Sequence, residues 1–318
     1  MTSERSCHLV LRAAGERTQS VSMKLARLQL PSGASLSLVS EVPFESALRA
    51  SYEEGVRAAK QWTITLDADV LLGADSICRL LDLALKMPSH FFELKGRIYD
   101  KVTGTWRPAG HHVYRTELLP RALHHIPAPG RQLQPEYFTT LQMWRMGHPC
   151  RQEGFAVGLH DFEQSYCDLY RKAIVQSRKM AARAGDLIGR CAEHLHDDPD
   201  FLVILKGLWD GLMTRESLAV DRRQFAERAL EALRALGLEE KAGLENEDRF
   251  IDAFPGMLAA VATRHPVPRL LAATDPGLPE AGVSAWAKAR DRIQRYGLVR
   301  GSVSSFGALL KLIGERLD

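Results

Sequence analysis

A mixed α/β sheet domain followed by an all-α region is the fold class that the sequence predicts. Three observations predict it. Strand and helix patterns alternate through roughly the first seventy residues, the mark of an α/β sheet. The third of those strands, Trp62–Leu66, runs into two carboxylates, Asp67 and Asp69, at its carboxyl end, where open α/β sheets place their ligands. After Phe162 strand signals stop and helical periodicity takes over.

Each element has its own grounds. Cys7–Leu11 reads as a short buried strand. Ala13–Thr18 follows as a loop, with Gly15 at a turn and Arg17 as a free cation, and Thr18 or Ser20 is placed to cap a helix over 21–30. Pro31-Ser-Gly33 breaks that helix. Leu36–Ser40 is the second strand and ends at Glu41. Pro43 opens a helix to about Lys60, because Phe44, Ala47, Leu48, Tyr52, Val56 and Ala59 recur at helical spacing. Gly55 inside it costs about 1 kcal/mol against alanine, so it predicts close packing on a neighbour. Trp62–Leu66 is β-branched, aromatic or apolar throughout. Asp75 is placed to cap the next helix, with Ile77, Leu80, Leu81 and Leu83 inward, and Pro88 closes it. Phe91–Tyr99 and Trp106–Arg115 read as the arms of a long antiparallel hairpin about the turn Asp100–Gly104. Leu118–His125 is a short helix ended by Pro127-Ala-Pro-Gly130. Pro135 and Glu136 both suit a first helical turn, and Gly147 ends the helix they open. Phe155–Leu159 is a brief apolar run leading to His160-Asp161. Helices are expected over roughly 162–185, 186–196, 200–214, 222–236, 248–264, 282–297 and 303–317, with a loop rich in Pro, Gly and Ala at 265–281. The expected division is a sheet domain at 1–170 and a helical region at 171–318.

Composition narrows the function. Hydrophobic residues make up 45% and charged residues 25%, the balance of a soluble globular protein. A net charge of +3 is too small to argue for a nucleic-acid partner. No apolar run approaches the roughly 18 residues of a membrane span, and the apolar patch before Arg12 and Glu16 is too short for a secretory signal. The five cysteines, Cys7, Cys78, Cys150, Cys167 and Cys191, show no C-x-x-C spacing and imply reduced thiols in a cytoplasm.

Asp67 and Asp69 carry the chemistry. Two carboxylates one residue apart repel in a dry site, and a hard divalent cation relieves the repulsion; oxygen ligands suit Mg²⁺ or Mn²⁺. Such an ion in turn neutralises a diphosphate. The alternative is a polar turn after a strand, since aspartate is a common turn former.

The surrounding passages resemble a known family. Ser46–Gly55, then Ala58-Ala59, then Trp62–Asp69 is similar to the "A-R-N-x-G…A…LDAD" passage of the GT-A fold, the Rossmann-like mixed sheet of nucleotide-sugar glycosyltransferases, in particular bacterial family-two-like enzymes. Ala109–Arg115 followed by Leu118 and Leu119 resembles its glycine-containing acceptor-side strand. Pro135-Glu136, with Gly147 eleven residues on, resembles the passage bearing its catalytic carboxylate. The resemblance covers about residues 7–170. Ala50-Ser51 stands where the family has an asparagine, and Glu136, after Pro135, stands where it has the aspartate of a Glu-Asp pair.

The resemblance implies a metal-dependent transferase that moves a sugar from a nucleotide-diphosphate sugar to a glycan, lipid-linked or protein acceptor, with Mn²⁺ or Mg²⁺ as cofactor. It implies Asp69 as direct metal ligand, Asp67 on the ribose or on a metal-bound water, and His160 as a third ligand, which would favour Mn²⁺. Glu136 would be the base of an inverting reaction. Ala14, Gly15 and Arg17 would cradle the nucleoside, Glu41 would accept from base or ribose, and Arg49 would reach the diphosphate. Plainer alternatives stand beside these: a helix-entry pair at His160-Asp161, a dipole-complementing first-turn residue at Glu136 and a solvated helix face at Arg49. Asp100 and one of His111 and His112 are expected at the acceptor cleft, since neighbours in a strand point to opposite faces. Three other functions compete: a sugar-phosphate nucleotidyltransferase, for which Ala13–Thr18 is a poor match, a non-catalytic GT-A-like binding or scaffold protein, and, last, a metal-dependent hydrolase using His160-Asp161, which leaves the passage from Ser46 to Asp69 unexplained. The helical region is expected to bind the acceptor, cover the cleft, form a homodimer or touch the inner membrane face through its amphipathic last helix.

Overall fold

The computed structural model describes residues 5–268, so the helices expected at 282–297 and 303–317 and most of the loop before them lie outside the described residues. The first strand, β1 (Cys7–Arg12), is buried along its whole length, as a strand covered on both faces must be. α1 (Gln19–Arg27), β2 (Ser35–Val39), α2 (Phe44–Ala58) and β3 (Trp62–Asp67) follow, and β1 pairs in parallel with both β2 and β3. A Cβ on Gly55 would lie 2.6 Å from Thr63 Cγ2 and 2.9 Å from Leu119 Cδ1, so α2 packs on the sheet as closely as its glycine predicts.

The acidic corner leads straight into β4 (Val70–Leu72), which the sequence does not announce because three residues are too few to show alternation. α3 (Ser76–Ala84), β5 (Glu93–Asp100), β6 (Thr105–Arg107) and β7 (His111–Arg115) come next. Here the expected long hairpin is split. β6 pairs with β5 over Ile98–Asp100 only. Pro108 offers no N–H to a ladder, and Gly110, at φ +72°, turns the chain away. β7 then runs antiparallel to β3 from Trp62↔Arg115 to Leu66↔His111 and meets β5 only at Glu93 and Leu94. A side chain at Gly110 would meet Val70 Cγ2 at 2.6 Å, so the crossing requires glycine.

After α4 (Leu119–Leu123) and α5 (Pro135–Arg145), β8 (Cys150–His160) runs parallel to β5 and antiparallel to β4. It is longer than the apolar run inside it, because Arg151, Gln152 and Glu153 hide its first half from hydrophobic periodicity. The strands form one sheet in the order β2-β1-β3-β7-β5-β8-β4, with β6 on β5. β7 reverses the direction of β3, β5 reverses it again, and β8 follows β5. So β1, β3, β5 and β8 all point the same way, and their last residues, Arg12, Asp67, Asp100 and His160, lie along one edge.

The helical part comprises α6 (Tyr166–Lys179), α7 (Ala184–His194), α8 (Pro199–Met213), α9 (Ala226–Ala235) and α10 (Glu247–Arg264). Ser165, Asp198 and Asn246 accept from backbone amides and cap α6, α8 and α10. The caps expected earlier in the chain do not form. Thr18 Oγ1 donates to Ala68 O at 2.8 Å, Ser20 Oγ to Glu247 Oε2 at 2.8 Å, and Asp75 sits at φ +58° without a side-chain cap bond. α10 covers Val21, Leu71 and Leu159 with Phe254, so it completes the core of the sheet domain. A boundary at 170/171 falls inside α6. Among the described residues no helix is long and apolar enough to cross a membrane.

Candidate functional site

Asp69 stands in the turn between β3 and β4, His160 ends β8 opposite Val70, and Asp161 follows it at φ +62°. The β4–β8 ladder fixes their spacing, and Asp161 N donates to Asp69 O at 3.2 Å. Asp69, His160 and Asp161 are all buried, and their ligand atoms lie within 4.8 Å of one another. His160 Nδ1 is 2.8 Å from Asp100 Oδ2 and 3.0 Å from Asp161 Oδ2, while its Nε2 is 3.4 Å from Asp69 Oδ1. Asp100 also accepts from Arg107 Nε at 2.6 Å and from Thr103 N at 2.7 Å. Burial opposes the charge on His160, but Asp161, Asp69 and Asp100 outweigh it and hold the imidazole protonated well above its usual range. Burial likewise opposes ionisation of Asp69, and Lys172 and His160 outweigh it.

The ammonium of Lys172, on α6, is hydrogen-bonded to both Asp69 and Asp161. Lys179 lies seven residues further along the same helix. It makes no ion pair and no side-chain hydrogen bond among the described residues. Burial, then Arg107, pushes its ammonium down to about 8, and Asp67 and Glu45 pull the other way.

These donors suit a divalent ion. Two carboxylates and an imidazole converge, the other imidazole nitrogen is backed by Asp100 in the manner of metal-bound histidines, and Asp69 Oδ1 is buried without a hydrogen bond. The place between the two carboxylates, however, is taken by Lys172.

A second buried network adjoins the first through Asp67. Arg12 Nε donates to Asp67 Oδ1 at 2.7 Å across the β1–β3 pair, and Arg12 Nη1 to Glu136 Oε1 at 2.7 Å. Glu136 also accepts from Tyr114 Oη at 2.8 Å and forms an ion pair with His112 Nε2 at 2.8 Å. His112 Nδ1 is bonded to Glu93, which pairs with Lys95 at 3.0 Å. Glu136, expected as the base, is thus tied into this network. Burial raises its proton affinity, but Arg12 and His112 outweigh that and hold the carboxyl well below the usual range. With both oxygens engaged it holds Arg12 against Asp67.

The other expected residues divide. Asp69 and His160 converge with Asp161, not with Asp67, which pairs with Arg12 instead, and Asp100 joins the group by orienting His160. His111 and His112 do point apart: His111 Nε2 accepts from Gly96 N at 2.9 Å, and burial pushes its imidazole down to about 3. Ala14 N is bonded to Glu16 Oε2 at 2.7 Å, and Glu16 feels the charges of Asp69 and Lys172, so this loop borders the site. Gly15 takes φ +86°. Arg17 is not a free cation: it donates to Glu163 Oε2 at 2.7 Å and to Ala242 O at 2.6 Å, tying β1's loop to the helical part. Glu41 and Arg49 are exposed and have no hydrogen bond or ion pair with the acidic group. Sequence reasoning missed Arg12, Arg107, Lys172 and Lys179. A buried strand that ends in arginine beside a second strand that ends in aspartate was the available signal for Arg12.

No protein-family model and no curated protein matches the sequence. Among solved structures the chain is similar to a glycosyltransferase involved in the glycosylation of the major capsid of PBCV-1, at TM-score 0.34 and 12% identity over 49% of this chain and 82% of that one. It is also similar to the mannosyltransferase PcManGT from Pyrobaculum calidifontis, in complex with GDP-Man and Mn²⁺, at TM-score 0.39 and 15% identity over 81% of this chain and 80% of that one. Likeness at this level carries no argument; the functional reading rests on the site itself.

Proposed function

We propose that the chain is a GT-A-type glycosyltransferase taking its sugar from a nucleotide-diphosphate donor. One observation carries the reading: the Asp67-x-Asp69 corner meets His160-Asp161 at the carboxyl edge of the sheet, with Arg107 and Lys172 bonded into the group. Glycosyl transfer expels a nucleoside diphosphate, and fixed charges at that edge are suited to stabilising it as it leaves. A divalent ion, Mn²⁺ before Mg²⁺ because of the imidazole, would be held by Asp69, Asp161 and a neutral His160 only in exchange for Lys172, whose ammonium otherwise supplies the neutralising charge between the two carboxylates. Ala14 and Gly15 would flank the nucleoside, since their loop borders the acidic group. Asp67, fixed on one oxygen by Arg12, would meet the ribose with the other.

A binding protein without turnover has one observation in its favour, the full engagement of Glu136. Release of nucleoside diphosphate from UDP- and GDP-sugars, offered with mixed sugar acceptors, separates the two. Release that disappears in Asp69→Asn is the outcome expected of the transferase. Tight donor binding with the donor left intact in every mixture would leave the binding protein.

A further inference from the structure

We propose that Lys172 is the resident cation of the acidic centre: its ammonium holds the place a divalent ion would take between Asp69 and Asp161, and with Lys179 it receives the phosphates of the ligand. The ligand's identity rests on the glycosyltransferase reading; the place of the cation does not.

Three observations carry the inference. First, Lys172 bonds both carboxylates at once, with only 24% of its side chain exposed, so it is built into the group and does not reach in from the surface. Second, the carboxylates of Asp69, Asp100 and Asp161 already face Lys172, Arg107 and the imidazole of His160. A divalent ion placed between Asp69 and Asp161 must displace the ammonium, because the two cations would share the same oxygens. Third, Lys179 lies two turns along α6 from Lys172, which sets both on one face of the helix. It has no ion-pair partner among the described residues, and Arg107 and Lys172 are among the charges it feels most. Three cations thus gather at the edge, and one of them is answered by carboxylates only at longer range. A diphosphate supplies the missing anion, taking charge-assisted hydrogen bonds from both lysines. α6, in the part of the chain whose sequence is silent about chemistry, is then an integral wall of the donor site.

The test uses the full chain and two probes, Mn²⁺ followed by the resonance of the free ion, and inorganic pyrophosphate followed by calorimetry in EDTA. Wild type is expected to bind pyrophosphate in EDTA and to bind Mn²⁺ at least about tenfold more weakly than Lys172→Met, which exposes the carboxylate pair. Lys172→Met is expected to lose about tenfold in pyrophosphate affinity in EDTA and to regain it with Mn²⁺. Lys172→Arg keeps the charge and should gain no Mn²⁺ site, and Lys179→Met should lose pyrophosphate affinity without gaining one. Wild type that binds Mn²⁺ as tightly as Lys172→Met overturns the proposal. So does pyrophosphate binding by wild type that vanishes in EDTA, a measurement that stands even if Lys172→Met does not fold. A Mn²⁺ site gained by Lys172→Met, with pyrophosphate and every nucleoside diphosphate unbound in all conditions, would leave the cation's place standing and refute both the phosphate role and the transferase reading.

Discussion

Asp67 and Asp69 stand one residue apart and do different work. Asp67 ends β3 and pairs with Arg12, whereas Asp69 turns into the group formed with His160, Asp161 and Lys172. Asp69→Asn keeps the shape but removes one of the two carboxylates that hold the Lys172 ammonium at the edge, so nucleoside diphosphate affinity should fall about tenfold or more, about 1.4 kcal/mol, as read by calorimetry. The neighbouring network predicts a pH profile. Burial opposes ionisation of Glu93, but Lys95 and His112 bring its carboxyl down to about 2 from 4.5. Its contribution is complete above pH 4.5 and is lost as the pH falls toward 2. Burial opposes the charge on His112, but Glu136 and Glu93 raise it above 6.5, so its contribution is complete below that value and is lost as the pH rises through the folded one. The stability lost in Glu93→Gln, measured by urea unfolding as a difference from wild type, should therefore plateau between about pH 4.5 and 6.5 and shrink toward pH 2, while the wild-type profile itself still rises through that window because burial holds His111 down to about 3. A wild-type profile that keeps rising above pH 6.5 would contradict this assignment. At this scale the carboxylates and His160 were legible because each ends or follows a strand. Lys172 and Lys179 were not, because a lysine facing a site and a lysine facing water leave the same mark in a helical pattern.

β8 is the element that makes the site. It pairs with β5 on one side and β4 on the other, which brings Asp100, His160 and the Asp69 turn together through register alone. Gly158, two residues before His160, lies against the β4 backbone: a Cβ there would sit 2.9 Å from Leu71 C. Gly158→Ala must push the strands apart, costing at least the roughly 1–3 kcal/mol typical of overpacking, and should weaken diphosphate binding in the folded fraction. Urea unfolding measures the first effect, and an unchanged midpoint would argue against this packing. β1–β3 and the helices between them were legible because period and punctuation agree there. β4 was too short and the first half of β8 too polar to show a period. The hairpin was misread because pairing partners are decided by Gly110 and the tertiary path, not by spacing.

Over the whole molecule, the helical part completes the sheet domain. α10 covers α1 and β4, Arg17 reaches Ala242, and α6 brings Lys172 into the acidic group. The two parts are also joined by Asp200, whose buried carboxylate pairs with Lys101, just after β5, and with Lys241. Asp200→Ala leaves the largely buried ammonium of Lys241 without its carboxylate and Lys101 with Asp198 alone, and should cost about 3 kcal/mol, with circular dichroism and tryptophan fluorescence falling together. Loss of helix before the sheet unfolds would contradict that union. A change of composition near Phe162 was visible in the sequence, but contact between the regions was not, since amphipathic helices do not name the surface they cover.

The most direct measurement is a thermal-shift comparison of UDP, GDP, CMP and their sugars on wild type and on Asp69→Asn. A native-state ligand at a hundredfold excess over its dissociation constant adds about 2.7 kcal/mol of stability, enough to read plainly. A nucleoside diphosphate is expected to raise the wild-type midpoint, CMP to leave it unchanged, and Asp69→Asn to lose the rise. No rise with any diphosphate, or the same rise in both proteins, would contradict a diphosphate site at this edge of the sheet.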